Sequence, residues 1–218
     1  MNQKALMAEF IGTFTLLFMG VGSIAANAGI VGIALANGFA IAVMIGALGA
    51  ISGAHFNPAV SLSMFVAKKI QAPTMISYWI AQLLGGIAGV FVLKQCFAGD
   101  VLTQVAMGAP GLGDGVTVAG AIIMEAVLTF ILVTVIFGSA VDKRANTACA
   151  GLFIGLTVTM SVLVAGGVTG AALNPARFLG SAVFYQDAMA NVTVYLVGPL
   201  LGGTLAGLFY ANVLEEKG

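Results

Sequence analysis

The sequence predicts an all-α membrane protein in which six transmembrane helices and two re-entrant half-helices form an inverted repeat. Three observations carry that prediction. Of the 218 residues, 60% are hydrophobic and 7% charged, with a mean hydropathy of +1.09, whereas soluble domains carry about 25% charged residues. Six apolar segments are long enough to cross a bilayer, for which roughly 20 residues are needed. Finally, the tripeptide Asn-Pro-Ala occurs twice, as Asn57-Pro58-Ala59 and Asn174-Pro175-Ala176, at corresponding places in two similar halves.

The first span is expected near 5–27. It opens with one lysine, Lys4, carries Glu9 in its first turns and has no clear small-residue cleavage site, so it reads as a retained helix and not as a removed signal peptide. Further spans fall near 31–51, 73–94, 116–139, 147–166 and 190–212. The stretches near 57–67 and 174–184 are too short to cross, and each opens with Asn-Pro-Ala. They read as half-helices entering from opposite sides. The 30 glycines follow no fixed period, which excludes a collagen; small residues instead let membrane helices approach closely.

Lys and Arg concentrate in short cytoplasmic loops. Lys4, Lys68, Lys69, Lys143, Arg144 and Lys217 fall on one side of the six-span arrangement, Lys94 lies at the opposite side, and Asp100, Asp114 and Asp187 fall in the outer loops. Both termini are therefore expected in the cytoplasm, and compact loops favour a prokaryotic plasma (inner) membrane. Loop 140–146, with Asp142, Lys143 and Arg144, reads as a short solvated charge cluster, with a cytoplasmic gate as the alternative.

The formal net charge is zero, which leaves no basic face for nucleic acid. Cys96 and Cys149 lack metal or redox spacing. No phosphate loop, nucleophile with adjacent base or metal-ligand cluster is legible. Catalysis, cofactor and metal are accordingly not expected.

Internal repetition is the strongest organisational signal. Glu9 with Thr13-Phe14 recurs after 116 residues as Glu125 with Thr129-Phe130. Asn57 recurs after 117 residues as Asn174, and Leu83-Leu84-Gly85-Gly86 after 117 as Leu200-Leu201-Gly202-Gly203. Three spans per half force the copies into opposite orientations, as in transport proteins built from inverted repeats. The expectation is one channel domain over 1–218, with repeats at approximately 1–112 and 113–218.

Asparagine caps helix N-termini and proline suits the first helical turn, so Asn-Pro-Ala before a short apolar stretch is a helix start. Two such starts at membrane depth require a cavity, because non-helical backbone is tolerated there only when buried in protein or lining water. Each start carries roughly half a positive charge, so two aimed at one point repel cations. The amides of Asn57 and Asn174 are then donors for a neutral solute. The preceding residues, Gly53-Ala54-His55-Phe56 and Gly170-Ala171-Ala172-Leu173, are expected to be extended and to offer backbone carbonyls along the lumen.

With these motifs, Ser52 to Val60 and Leu173 to Arg177 in particular, the sequence resembles the aquaporin and aquaglyceroporin family of major intrinsic proteins over essentially its whole length. The resemblance implies the aquaporin fold, a homotetramer with one pore per protomer in membrane lipid, and a four-residue filter on the extracellular side of the motifs. Carried over by spacing, that filter is Asn37, Val162, Ala171 and Arg177. Water-selective members usually have Phe and His at the positions of Asn37 and Val162, and glycerol facilitators usually pair two aromatic residues. Neither set is present here. Val162 and Ala171 match a plant class related to nodulin-26, whose members and bacterial relatives pass boric or arsenous acid. Phe178 and Ala182 depart from the Asp and Lys typical of glycerol facilitators.

A charge at membrane depth costs roughly 3 kcal/mol on insertion scales and so usually faces a cavity or a partner. Arg177 is therefore expected to donate hydrogen bonds to the permeant while repelling protons and cations. Glu9 and Glu125 are expected to accept hydrogen bonds from the half-helix loops, as the resemblance implies, and His55 to brace its loop. The expected function is a passive channel for water and small uncharged solutes, metalloid acids or small polyols among them, that excludes protons and ions. A water-selective pore, a glycerol facilitator and a proton-coupled transporter using Glu9 and Glu125 remain the alternatives.

Overall fold

The computed structural model describes residues 2–216; Lys217, counted above among the cytoplasmic charges, lies outside them. Six helices in it are long and apolar enough to span a membrane. They are α1 (Gln3–Ala25), α2 (Gly29–Ser52), α4 (Ala72–Cys96), α6 (Val118–Ile136), α7 (Ala150–Ala165) and α9 (Val192–Phe209), with α7 and α9 each preceded by a 3-10 stretch, Thr147–Cys149 and Gln186–Asn191, and α6 and α9 each continued by one π-helical stretch, Phe137–Val141 and Tyr210–Leu214. Between them lie the half-helices α3 (Pro58–Val66) and α8 (Pro175–Ala182) and a single-turn helix α5 (Val101–Gln104). The spans are apolar nearly all round and leave large side chains such as Val43, Ile80, Ile123 and Val164 more than half exposed. Such a surface is stable in lipid and not in water, so the protein is an integral membrane protein.

The repeated Leu-Leu-Gly-Gly explains how the two halves lock together. A Cβ on Gly85 would come within 2.3 Å of the Phe10 carbonyl, and one on Gly202 within 2.0 Å of the Ala126 carbonyl. These glycines therefore let α4 touch the backbone of α1, and α9 that of α6, in the same way. The next glycine reaches across the repeat. Gly86 lies against the Ala176 carbonyl of α8, and Gly203 against the Ala59 carbonyl of α3, with a Cβ at 3.0 and 2.8 Å. Each half-helix thus packs on the third span of the opposite half, which fixes both Asn-Pro-Ala starts at one depth.

Gly202→Ala is therefore expected to cost more than the roughly 1–3 kcal/mol of ordinary overpacking, because the obstructing atom is backbone and cannot rotate away. Gly46→Ala is the control, since nothing lies within 4 Å of a Cβ there. Thermal unfolding in detergent checks it; equal midpoints for the two variants would refute the packing argument.

At one end of the bundle, loop 140–146 is tied down and not a freely solvated cluster as expected. Asp142 is buried and accepts from the Arg144 backbone and guanidinium and from the Tyr210 hydroxyl, while Arg144 also donates to the Leu214 carbonyl. Lys69, in the loop after α3, pairs with Glu215 at the same end. The Arg144 guanidinium holds the Asp142 carboxyl well below the usual carboxylate range, helped by the Arg144 backbone N–H. A depressed carboxylate pKa stabilises the fold above the unfolded value of about 3.9, and that contribution is lost only as pH falls through the folded value. The tie therefore persists at neutral and mildly acidic pH.

Candidate functional site

Each half-helix begins with the cap its sequence dictates. The Asn57 side-chain oxygen accepts from the Ala59 N–H at 2.8 Å, and that of Asn174 from the N–H groups of Ala176 and Arg177 at 2.9 and 3.2 Å. Pro58 and Pro175 take the first helical position, where no backbone donor is needed. The two amide groups then cross the junction: Asn57 Nδ2 donates to the Leu173 carbonyl and Asn174 Nδ2 to the Phe56 carbonyl, both at 2.9 Å. One hydrogen of each amide is used in this way, and the second remains for the lumen.

The loops before the caps differ from the expected extended backbone. Gly53, Ala54 and Phe56 have φ of 86°, 52° and 51°, and Gly170, Ala171 and Leu173 have 74°, 46° and 52°. Three of the four residues before each cap thus have left-handed φ, and the two N–H groups next to the cap turn to one side as an anion-binding concavity. A buried carboxylate fills each concavity. Glu9 accepts from the His55 and Phe56 N–H groups at 2.9 and 2.6 Å, and Glu125 from those of Ala172 and Leu173 at 2.9 and 2.7 Å. Both glutamates are fully buried. A left-handed L-residue costs roughly 1–2 kcal/mol, and these bonds offset that cost.

The carbonyls were expected to face the lumen through Phe56 and Leu173. Those two residues line the central cavity, and their carbonyls also accept from the opposed asparagines, that of Phe56 in addition from Thr13 Oγ1. Gly53, Ala54, His55, Ala171 and Ala172 line the central cavity as well, and Gly170 lines the outer one.

Other residues complete the brace and were missed in the sequence. Ser52 and Thr169 donate hydroxyls to Glu9 and Glu125 at 2.6 Å, and Tyr78 and Tyr195 donate to the Ser52 and Thr169 carbonyls at 2.8 Å. Each pair stands 117 residues apart, so the repeat offset was the signal that would have found them. The halves differ beyond that. Gln82 Nε2 donates to both Glu9 and Ser61, and Ser61 also pairs with His55 Nδ1. In the second half Phe178 stacks on Tyr195 with ring centroids 4.5 Å apart. Phe178 and Ala182, treated above as clues to solute choice, are fully buried and line neither cavity.

Asn37, Val162, Ala171 and Arg177 all reach the wall of the central cavity, together with Asn57, Asn174 and an apolar strip that includes Leu16, Ile41, Leu132 and Ile154. Val162 and Arg177 line the outer cavity as well. The rim thus lies where two cavities meet. Arg177 is 7% exposed, and its Nη1 has no hydrogen-bond partner in the protein. An unpartnered buried donor beside a cavity is available to a permeant.

Six membrane-spanning helices enclosing two opposed helix starts at a cavity define a transmembrane channel. The chain belongs to the major intrinsic protein family: the family's model matches residues 1–210. Aquaporin AqpM of Methanothermobacter marburgensis is 39% identical over 98% of both chains. The glycerol uptake facilitator protein-like 6 of Lactiplantibacillus plantarum is 38% identical over 97% of this chain and 98% of its own. The crystal structure of the aquaglyceroporin from Plasmodium falciparum matches with a TM-score of 0.90 at 28% identity, covering 98% of this chain and 97% of that one. The protein is accordingly a passive channel of the aquaporin and aquaglyceroporin family and not an enzyme.

Proposed function

We propose that the channel passes water together with small uncharged hydroxylated solutes, namely boric and arsenous acid and small polyols, while excluding protons and ions. The observation that carries this reading is the rim of Asn37, Val162, Ala171 and Arg177, which contains no aromatic ring. Arg177 and the asparagine amides supply donors, the loop carbonyls of Gly53, Ala54, His55, Gly170, Ala171 and Ala172 supply acceptors, and the opposite wall is apolar. A hydroxylated neutral solute fits such a lining, whereas a cation meets Arg177 and two helix N-termini. Relatives named as an aquaporin and as a glycerol facilitator, at nearly equal identity, support a pore between the two types.

The working unit in this reading is a homotetramer with one pore per protomer in the plasma (inner) membrane. Both termini are cytoplasmic, and inverted repeats run over about 1–112 and 113–218. The clustering of Lys69, Arg144 and the end of α9 at one face supports a common side for these basic loops. A proton relay through Glu9 and Glu125 is disfavoured, because every carboxylate oxygen already accepts from the loop it braces.

Stopped-flow light scattering on proteoliposomes tests the proposal. Water permeability should exceed that of empty vesicles by roughly tenfold, as expected for a conducting pore, with no proton leak. Boric acid and glycerol should also enter faster than through lipid alone. A pore that carries water and excludes all the larger solutes would overturn the reading.

A further inference from the structure

The Asn37 side chain is not free in the lumen. Its Nδ2 donates to the Ile33 carbonyl one turn back at 2.8 Å, and only 2% of the residue is exposed. The rest of the amide is seated on α1 at Gly20. A Cβ there would lie 2.5 Å from Asn37 Oδ1, 3.0 Å from Cγ and 3.2 Å from Nδ2. The three atoms nearest to the missing Cβ all belong to the Asn37 amide. Gly20 is therefore the floor of a slot on α1 shaped to the head of one filter residue.

We propose that Gly20 is a specificity-determining positioning residue, which holds the Asn37 amide back from the lumen and thereby sets the largest solute the filter admits. The inference rests on the filter reading above. Any side chain at position 20 meets the amide first. To regain ordinary separation Oδ1 must retreat by about 1 Å, and the open side is the cavity that Asn37 lines. An amide displaced in that direction loses its bond to Ile33 and projects toward Val162 and Arg177 across the rim. Water passes a narrowed rim more readily than a polyol, so the ratio of solute to water permeability falls. The helix itself does not resist the change, because alanine is a better helix former than glycine.

The test compares wild type, Gly20→Ala, Asn37→Ala and the double variant in proteoliposomes, with glycerol and water as probes and thermal unfolding followed in parallel. Gly20→Ala should lower the glycerol-to-water ratio by about fivefold or more, the scale on which small steric differences discriminate. Asn37→Ala should not lower it, and the double variant should recover the wild-type ratio. A purely structural role for Gly20 predicts instead that both permeabilities fall together and that removing the amide rescues nothing; either result overturns the inference.

Asn37→Gln supplies an independent arm. Its longer side chain outgrows the notch while α1 stays intact, and it should lower the ratio as Gly20→Ala does, also if the latter fails to fold. An unchanged ratio in Asn37→Gln overturns the inference. If no substitution at Asn37 moves the ratio, the filter reading itself fails; if Asn37→Gln moves it and a folded Gly20→Ala does not, only the role of Gly20 fails.

Discussion

Glu125→Leu is expected to abolish permeation and to unfold much of the protein. The Glu125 carboxylate accepts the Thr169 hydroxyl and the Ala172 and Leu173 N–H groups. Leucine has nearly the same volume and no acceptor, so three buried donors lose their partner. Each unsatisfied buried group costs about 1–3 kcal/mol. The same bonds hold Ala171 and Leu173 in left-handed backbone, and Leu173 presents the carbonyl that Asn57 grips. The summed loss is comparable with the whole stability of a typical protein, about 5–15 kcal/mol.

Glu125→Gln separates shape from charge. Its carbonyl oxygen can still accept, but its NH2 faces a backbone donor, so the effect should be intermediate. Water permeability and the unfolding midpoint in detergent are the readouts. For Glu125→Leu, permeability at least about tenfold below wild type, or no recoverable folded protein, is the expected result. Wild-type values of both would show that the loop is held by something other than its carboxylate.

What the sequence disclosed and what it withheld divide along a physical line. The caps Asn57 and Asn174, the prolines after them and the spans are local chemistry written in adjacent residues, and the offset of 117 carried the architecture from one half to the other. The loop backbone differs from the extended reading because positive φ is not a local preference of Ala54, Phe56, Ala171 or Leu173. It is imposed from a distance by Glu9 and Glu125. The capture of the Phe56 and Leu173 carbonyls by the opposed amides likewise needs both halves assembled. The contacts of Phe178 were not legible, because its position in the chain, directly after Arg177, says nothing about direction. One residue of helical rotation separates Arg177 at the cavity from Phe178, which stacks on Tyr195. Gly20 was invisible for the same reason, since a glycine discloses its purpose only when the facing side chain is in view.

Asn37→Phe combined with Val162→His is expected to convert the pore into a water-selective one. Asn37 and Val162 are both nearly buried and both on the rim of the central cavity, and Val162 also borders the outer one. A phenyl ring is larger than the notch at Gly20 accommodates, so it must extend along the rim, and an imidazole at position 162 adds bulk and a polar edge at the junction of the two cavities. Arg177 keeps its unpartnered Nη1, and the two Asn-Pro-Ala caps lie deeper and are untouched. Water, which needs only a donor and an acceptor in single file, should retain permeability within about threefold of wild type, whereas glycerol and boric acid should fall by at least about tenfold, the range in which steric discrimination operates. The stopped-flow solute panel reads both quantities on one preparation. If glycerol and water fall in proportion, the double variant has merely blocked the pore. If neither changes, the constriction lies elsewhere on the path, with the braced loops at Ala54 to Asn57 and Ala171 to Asn174, which also line the central cavity, as the next place to probe. Because the loops are fixed by buried glutamates while the two rim residues exchanged here, Asn37 and Val162, stand on α2 and α7, solute choice can change in this fold without disturbing the barrier to ions.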